Sequence, residues 1–203
     1  MRSRLARFAI PAILTLLAGT SASIAQGIVH NDAAQQFLRT VDEYMALRQH
    51  LERQLPPFEV TDDIHRLDQA VHARAELIRR ARADARTGDI FNAAVSDLFR
   101  SRIEQAFATP PCSVAALSRQ MTEYAGQPAR AVVNGRFAWR TAVATPACVL
   151  AALPALPRAL QYRFVGPDLA LVDIDASVTV DVLTNVLDLS AVPPIPVPTV
   201  GDR

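Results

Sequence analysis

The chain has 203 residues, with 21 basic and 20 acidic side chains and a formal net charge of +1. Every basic residue is arginine, and loss of a leader carrying Arg2, Arg4 and Arg7 would leave 21 − 3 = 18 basic against 20 acidic groups, a near-neutral balance that excludes the electrostatic footprint of a nucleic-acid binder. The 50% hydrophobic content is ordinary for a globular protein and sufficient for one domain with its own core.

Residues 1–25 read as a secretory leader. Arg2, Arg4 and Arg7 precede an apolar run from Phe8 to Ala18, and the small residues Ser23 and Ala25 stand before Gln26. The run falls short of the about 20 apolar residues that span a bilayer, so cleavage after Ala25, export to the periplasm or medium and a mature chain without a membrane span are expected. No cysteine follows the cleavage position, which argues against a lipid anchor.

Over 32–55 the apolar residues Phe37, Val41, Tyr44, Leu51 and Leu55 keep helical spacing, and Arg48 takes the vacant seat in the stripe. Pro56 and Pro57 end this helix, and Thr61, Asp62 and Asp63 cap the next. Its stripe is Ile64, Leu67, Val71, Ile78 and Ala81, again with an arginine, Arg74, on the seam. The short link predicts an αα-hairpin. The two seam arginines are expected to snorkel or to pair with Asp68 or Glu52. A third helix follows Gly88-Asp89-Ile90-Phe91, with Phe91, Val95, Leu98, Phe99, Ile103 and Phe107 on one face. A fourth, capped by Ser113, runs through Val114, Leu117, Met121 and Tyr124 to a stop at Gly126.

Strands are expected after residue 128. Asn134-Gly135 between AVV and RFAW is the usual chemistry of a two-residue hairpin turn, and Thr145-Pro146 predicts a short helix to Leu153. From Leu160 to Leu183 the chain reads as a three-stranded meander. Leu160, Tyr162 and Phe164 alternate with Gln161 and Arg163, a turn falls at Gly166-Pro167-Asp168, and two further runs alternate valines or isoleucine with Asp173, Asp175, Thr179 and Asp181. The expected fold is α+β: one domain over 26–190, mainly helical to 127, in which about four amphipathic helices cover one face of a small antiparallel sheet. A proline-rich, mobile tail is expected over 191–203.

The motif chemistry is mostly negative. The seven glycines form no phosphate-binding loop, and GxSxG, HExxH and CxxC are missing, so no cofactor is implied. His65, Asp68, His72 and Glu76 share one helix face and are the candidate metal ligands. His65 and His72 lie two turns apart, roughly 10.5 Å, so a solvated polar face is the simpler reading. Asp168, Asp173, Asp175 and Asp181 could supply oxygens to calcium, but without EF-hand spacing they are expected to face water and discourage edge pairing. Cys112 and Cys148, the only cysteines, are expected to form a disulfide in an oxidising compartment, contributing about 4 kcal/mol in the chain-entropy model.

Two motifs carry a resemblance. Gly88-Asp89-Ile90-Phe91 with Leu98-Phe99, and the pattern LPxLPxxLxYRFVGxxLxLxD over 153–173 followed by Val180-Asp181, resemble those of an uncharacterised family of exported bacterial proteins. The match covers 33–187. It implies export and a shared fold and assigns no activity, and the cysteines stand outside its pattern. The function expected on these grounds is non-enzymatic binding or interaction in the cell envelope, with a protein partner or a ligand. A carboxylate-based hydrolase and a periplasmic metal-binding protein are the alternatives.

Overall fold

The structure is a computed structural model that describes residues 20–57, 61–124 and 130–189. The leader up to residue 19, the helix stop at Gly126 and the proline-rich tail lie outside the described residues. The order of elements is α1 (Thr20–Glu52), α2 (Ile64–Ala81), α3 (Ala93–Phe107), α4 (Val114–Tyr124), a 3-10 turn (Trp139–Thr141), β1 (Ala142–Ala144), α5 (Ala147–Ala152), β2 (Leu160–Val165), β3 (Asp168–Asp173) and β4 (Val178–Leu183). The fold is α+β, with the helices preceding a four-stranded antiparallel sheet in the order β1-β2-β3-β4. Helix α1 begins twelve residues before the expected start at Asp32 and runs through Ser23, Ala25 and Gln26.

The core lies where α1 and α3 cross the sheet. Ala33, Phe37, Val41, Tyr44 and Leu51 of α1 and Val95, Leu98, Phe99 and Ile103 of α3 are buried, the stripes their spacing predicts. Phe37 contacts Phe99 at 4.9 Å between ring centroids, and Phe99 meets Phe91 at 5.2 Å and Tyr162 at 5.9 Å. Leu160, Tyr162 and Phe164 of β2 all enter this cluster, so the predicted inward face of that strand is the observed one. The tyrosine hydroxyl reaches the Pro154 carbonyl at 3.1 Å. Burial raises its pKa, against a smaller opposing influence of Arg102.

The rest of the meander departs from the expected alternation. In β3 it is Leu169, Leu171 and Asp173 that face the helices, while Ala170 and Val172 turn to the other side and pack with Val165 and Phe137 in a second, smaller core. Strands β3 and β4 therefore have no open face: every residue of both is buried. Between β3 and β4 the register jumps, Leu171 pairing with Asp181 and Val172 with Thr179, which leaves Val180 as the extra residue of a β-bulge. A bulge reverses the in-out alternation beyond it. Asp181 thereby lands on the helical side, with both Asp173 and Asp181 fully buried. The expectation that these acids meet water is overturned, and only Asp175, in the turn after β3, keeps a half-exposed side chain.

The Asn134-Gly135 turn forms, with Asn134 at φ 58° and the Gly135 amide bonded to the Val132 carbonyl, but its two arms do not pair with each other. Instead the second arm runs along β4: Asn134 donates to the Thr179 carbonyl, Thr179 to the Gly135 carbonyl and Phe137 to the Ser177 carbonyl. The expected hairpin is corrected to a strap that covers the β4 edge and carries Phe137 onto the second core. The competing partner is an edge that would otherwise leave its amides unpaired. Trp139 follows in the 3-10 turn, against Phe137 on one side and with the Arg163 guanidinium 5.5 Å from its ring centroid on the other.

The short helix after Pro146 is α5, and Cys148 within it is joined to Cys112 ahead of α4, with Cα atoms 6.1 Å apart. The bond ties the α3–α4 link to α5, while Thr145 Oγ1 donates to the Tyr162 carbonyl and fastens the start of α5 to β2.

Phe164→Ala empties a position at the centre of the helix-facing core and is expected to cost about 3 to 5 kcal/mol. Arg163→Ala removes a ring contact and a bond to Gln161 on the opposite, partly exposed side and should cost under about 1 kcal/mol. Urea denaturation of both variants checks the pair; equal losses would invert the assignment of faces.

Candidate functional site

The richest polar arrangement lies where the last two turns of α1 meet the β3–β4 turn and α2. Arg48, one helical turn beyond Tyr44, occupies a core seat, and its cost there is offset by carboxylates. Its Nε donates to Asp173 Oδ2 at 2.8 Å, and its Nη2 reaches Asp175 Oδ2 at 2.6 Å and Glu52 Oε1 at 3.0 Å. Burial works against the guanidinium charge, yet the pull of Asp173, Glu52 and Asp175 prevails and its pKa is raised. The Tyr44 hydroxyl donates to the same Asp173 oxygen at 2.8 Å, and its pKa is driven up by burial first and by the Asp173 charge and hydrogen bond next. Asp173 Oδ1 accepts from the amides of Asp175 and Ala176, so one carboxylate both holds α1 and closes the turn.

Arg74 extends the network to α2. Its Nε donates to Glu52 at 3.0 Å and its Nη1 to the Asp175 carbonyl at 3.0 Å. Of the partners expected for the seam arginines, Glu52 is the one found, shared by Arg48 and Arg74, whereas Asp68 lies at 3.3 Å from His72. Arg82, just past α2, stacks its guanidinium 5.2 Å from the Tyr44 ring centroid and donates to the carbonyl of Val180, the bulge residue, at 3.0 Å.

Helix α2 touches the core only at its end. Ile78 is buried and Ala75 and Leu77 pack beside it, but Ile64, placed on the apolar seam by spacing, is 68% exposed, and Ala81 is exposed as well. The hairpin is therefore pinned through Glu52 and Arg74 and by Ile78, while its first turns stand off from α1. The space between is a cleft of about 1020 Å³. Its described lining combines Arg53, Arg66 and Arg74 and the single carboxylate Glu52 with the apolar surfaces of Leu55, Pro56, Pro57, Ala70 and Ala73.

The metal candidates do not converge. His65, Asp68, His72 and Glu76 all lie exposed on α2; Asp68 faces His72, and Glu76 pairs with Arg79 at 2.8 Å. The meander acids are also drawn apart: Asp168 Oδ1 accepts from the Asn185 amide, Asp173 belongs to the Arg48 network, and Asp181 is enclosed by backbone amides. Among the described residues no group of three or more His, Cys, Asp or Glu side chains could hold a metal ion, and no helix is long and apolar enough to cross a membrane. A second, smaller groove of about 370 Å³ lies beside α5, lined by Leu150, Pro154, Leu156 and Tyr162. No protein-family model, curated protein or solved structure matches the chain.

The cleft was hidden in the sequence because Ile64, Leu67 and Val71 promised a closed seam. A signal was present in Arg48 and Arg74, two charges on apolar stripes at corresponding places in adjacent helices.

Asp173→Ala leaves Arg48 and two amides short of an acceptor and should cost about 3 to 5 kcal/mol. Because the two residues share one contact, the double variant with Arg48→Met should lose about 1 to 3 kcal/mol less than the sum of the single losses. Denaturant melts of the four proteins measure the coupling; strict additivity would dissolve the network.

Proposed function

We propose that the chain is an exported bacterial envelope protein that works by binding, with the cleft between α1 and α2 as its site. The observation that carries this reading is the cleft itself: about 1020 Å³ at the junction of two helices, with apolar walls, a few convergent polar groups and a floor fixed by Glu52 and Arg74. Small-molecule sites have this composition and are of this order of size. A general acid or base needs reach to a substrate. The buried titratable groups of the network beside the cleft, Asp173 and Tyr44, spend their oxygens on each other, Arg48 and the turn. That favours binding over hydrolysis.

Export is supported by the leader and by the Cys112–Cys148 bond, which is compatible with an oxidising compartment. Kinship with the exported family is supported by the contact between its two motifs, the amides of Gly88, Ile90 and Phe91 donating to Asp181. Intact-mass analysis of the exported protein should find Gln26 at the N-terminus and a mass two hydrogens short of the dithiol; Met1 retained in a membrane fraction would overturn export.

The binding role is checked by screening amino acids, short peptides, organic acids and sugars for thermal stabilisation. Ala73 is exposed on the cleft wall, so Ala73→Trp fills the space without disturbing the core. At least one compound class should raise the melting temperature of the natural protein and leave Ala73→Trp unmoved. If no class binds, or if binding survives the tryptophan, the cleft is not the site.

A further inference from the structure

We infer that the cleft selects an organic anion: a small molecule with an oxyanion head and an apolar body a few carbons long. This deepens the proposed function and rests on the cleft being its site. Of the described lining, Glu52 is the sole carboxylate, and it is occupied twice, by Arg48 Nη2 at 3.0 Å and Arg74 Nε at 3.0 Å. It therefore cannot serve as the recognition group for a cationic ligand without breaking the bonds that hold α1 to α2. Arg53, by contrast, is exposed at the rim, and among the described residues its contact is with His50 Nδ1 at 3.3 Å rather than with an acid. Guanidiniums present a planar fork that matches a carboxylate or a phosphate with two parallel hydrogen bonds.

The apolar part follows from the other wall. Leu55, Pro56 and Pro57 on the link and Ala70 and Ala73 on α2 give the lining its apolar surface, beside the polar Thr61 and Gln69. A bare inorganic anion would gain nothing from that surface, and a purely apolar molecule would leave the cationic rim unmatched. A head and a body together use both.

Four probes separate these elements by calorimetry at low ionic strength: 4-phenylbutyrate, phenyl phosphate, 4-phenylbutanol and acetate. The two organic anions should bind at least tenfold more tightly than the alcohol and than acetate, and the stronger of the two identifies the head as carboxylate or phosphate. Arg53→Glu should weaken that binding at least tenfold, Arg53→Gln less, and Ala73→Trp should abolish it. Raising the salt to about 0.5 M should weaken the anions and leave the alcohol unchanged. If the alcohol binds as well as the anions and is lost in Ala73→Trp, the site stands and the anion selectivity falls. If no probe responds to Ala73→Trp, both fall.

Discussion

A fully buried carboxylate is tolerable only if donors surround it, and the architecture depends on meeting that condition at Asp181. The amides of Gly88, Ile90 and Phe91 converge on it at 3.0, 2.7 and 2.7 Å, and that of Val182 adds a fourth at 2.7 Å. Three of those amides belong to the Gly88–Phe91 loop, whose first residue sits at φ 95°, where a side chain is strained. The loop is thus folded around the carboxylate. That fixes where α3 begins, with Asn92 as its cap, and places Phe91 against Phe37 and Phe99. The strand needs the loop to neutralise its acid, and the loop needs the acid to satisfy its amides. The two sequence motifs, distant in the chain, are two halves of one contact.

Asp173 repeats the principle with different donors: two amides of its own turn, the Tyr44 hydroxyl and Arg48. The two acids attach the sheet to different parts of the helical layer, Asp181 to the entrance of α3 and Asp173 to the far end of α1. Apolar packing alone would let amphipathic helices slide over a small sheet, since area burial has no direction. Charged hydrogen bonds do have direction, and here they set the register of helices on strands. Arg100, donating to the carbonyls of Thr184 and Asn185 at 2.6 and 2.7 Å, does the same for the chain leaving β4.

Helices were legible because their signals are local. The stripes of α1 and α3, the Asp63 and Ser113 caps and the break at Gly88 need no knowledge of the rest of the chain. The inward face of β2 was legible for the same reason. What the pattern could not reveal was the burial of both faces of β3 and β4, because the second cover comes from a segment whose own sequence reads as a hairpin. Once Phe137 caps the far side, alternation ceases to separate inside from outside, and Ala170 and Val172 become core as much as Leu169 and Leu171. The bulge at Val180 is a further nonlocal choice: it is set by the partner strand and by Arg82, which holds the Val180 carbonyl. The seam arginines announced themselves as anomalies, and Glu52 was a partner within reach of the sequence, but Asp173 and Asp175 lie more than a hundred residues away.

The same ionic network explains why a cleft exists. An αα-hairpin normally closes by interdigitating apolar side chains along its whole length. Here the seats that would do so in the middle of the seam are Arg48 and Arg74, whose guanidiniums turn toward the sheet and toward Glu52 rather than toward each other. Small residues, Ala70 and Ala73, occupy the neighbouring wall of α2, so among the described residues of that wall no large apolar side chain fills the gap toward the link. The result is a helix anchored at its C-terminal end by Ile78 and at its middle by a salt bridge, with its N-terminal turns carried as an arm. Such an arm has few apolar contacts to lose, which places it at the low end of local stability. A ligand that bridges the α1 end and the arm would stabilise the closed arrangement by its own binding free energy. The hairpin is thus both the wall of the cleft and the element that occupancy would order.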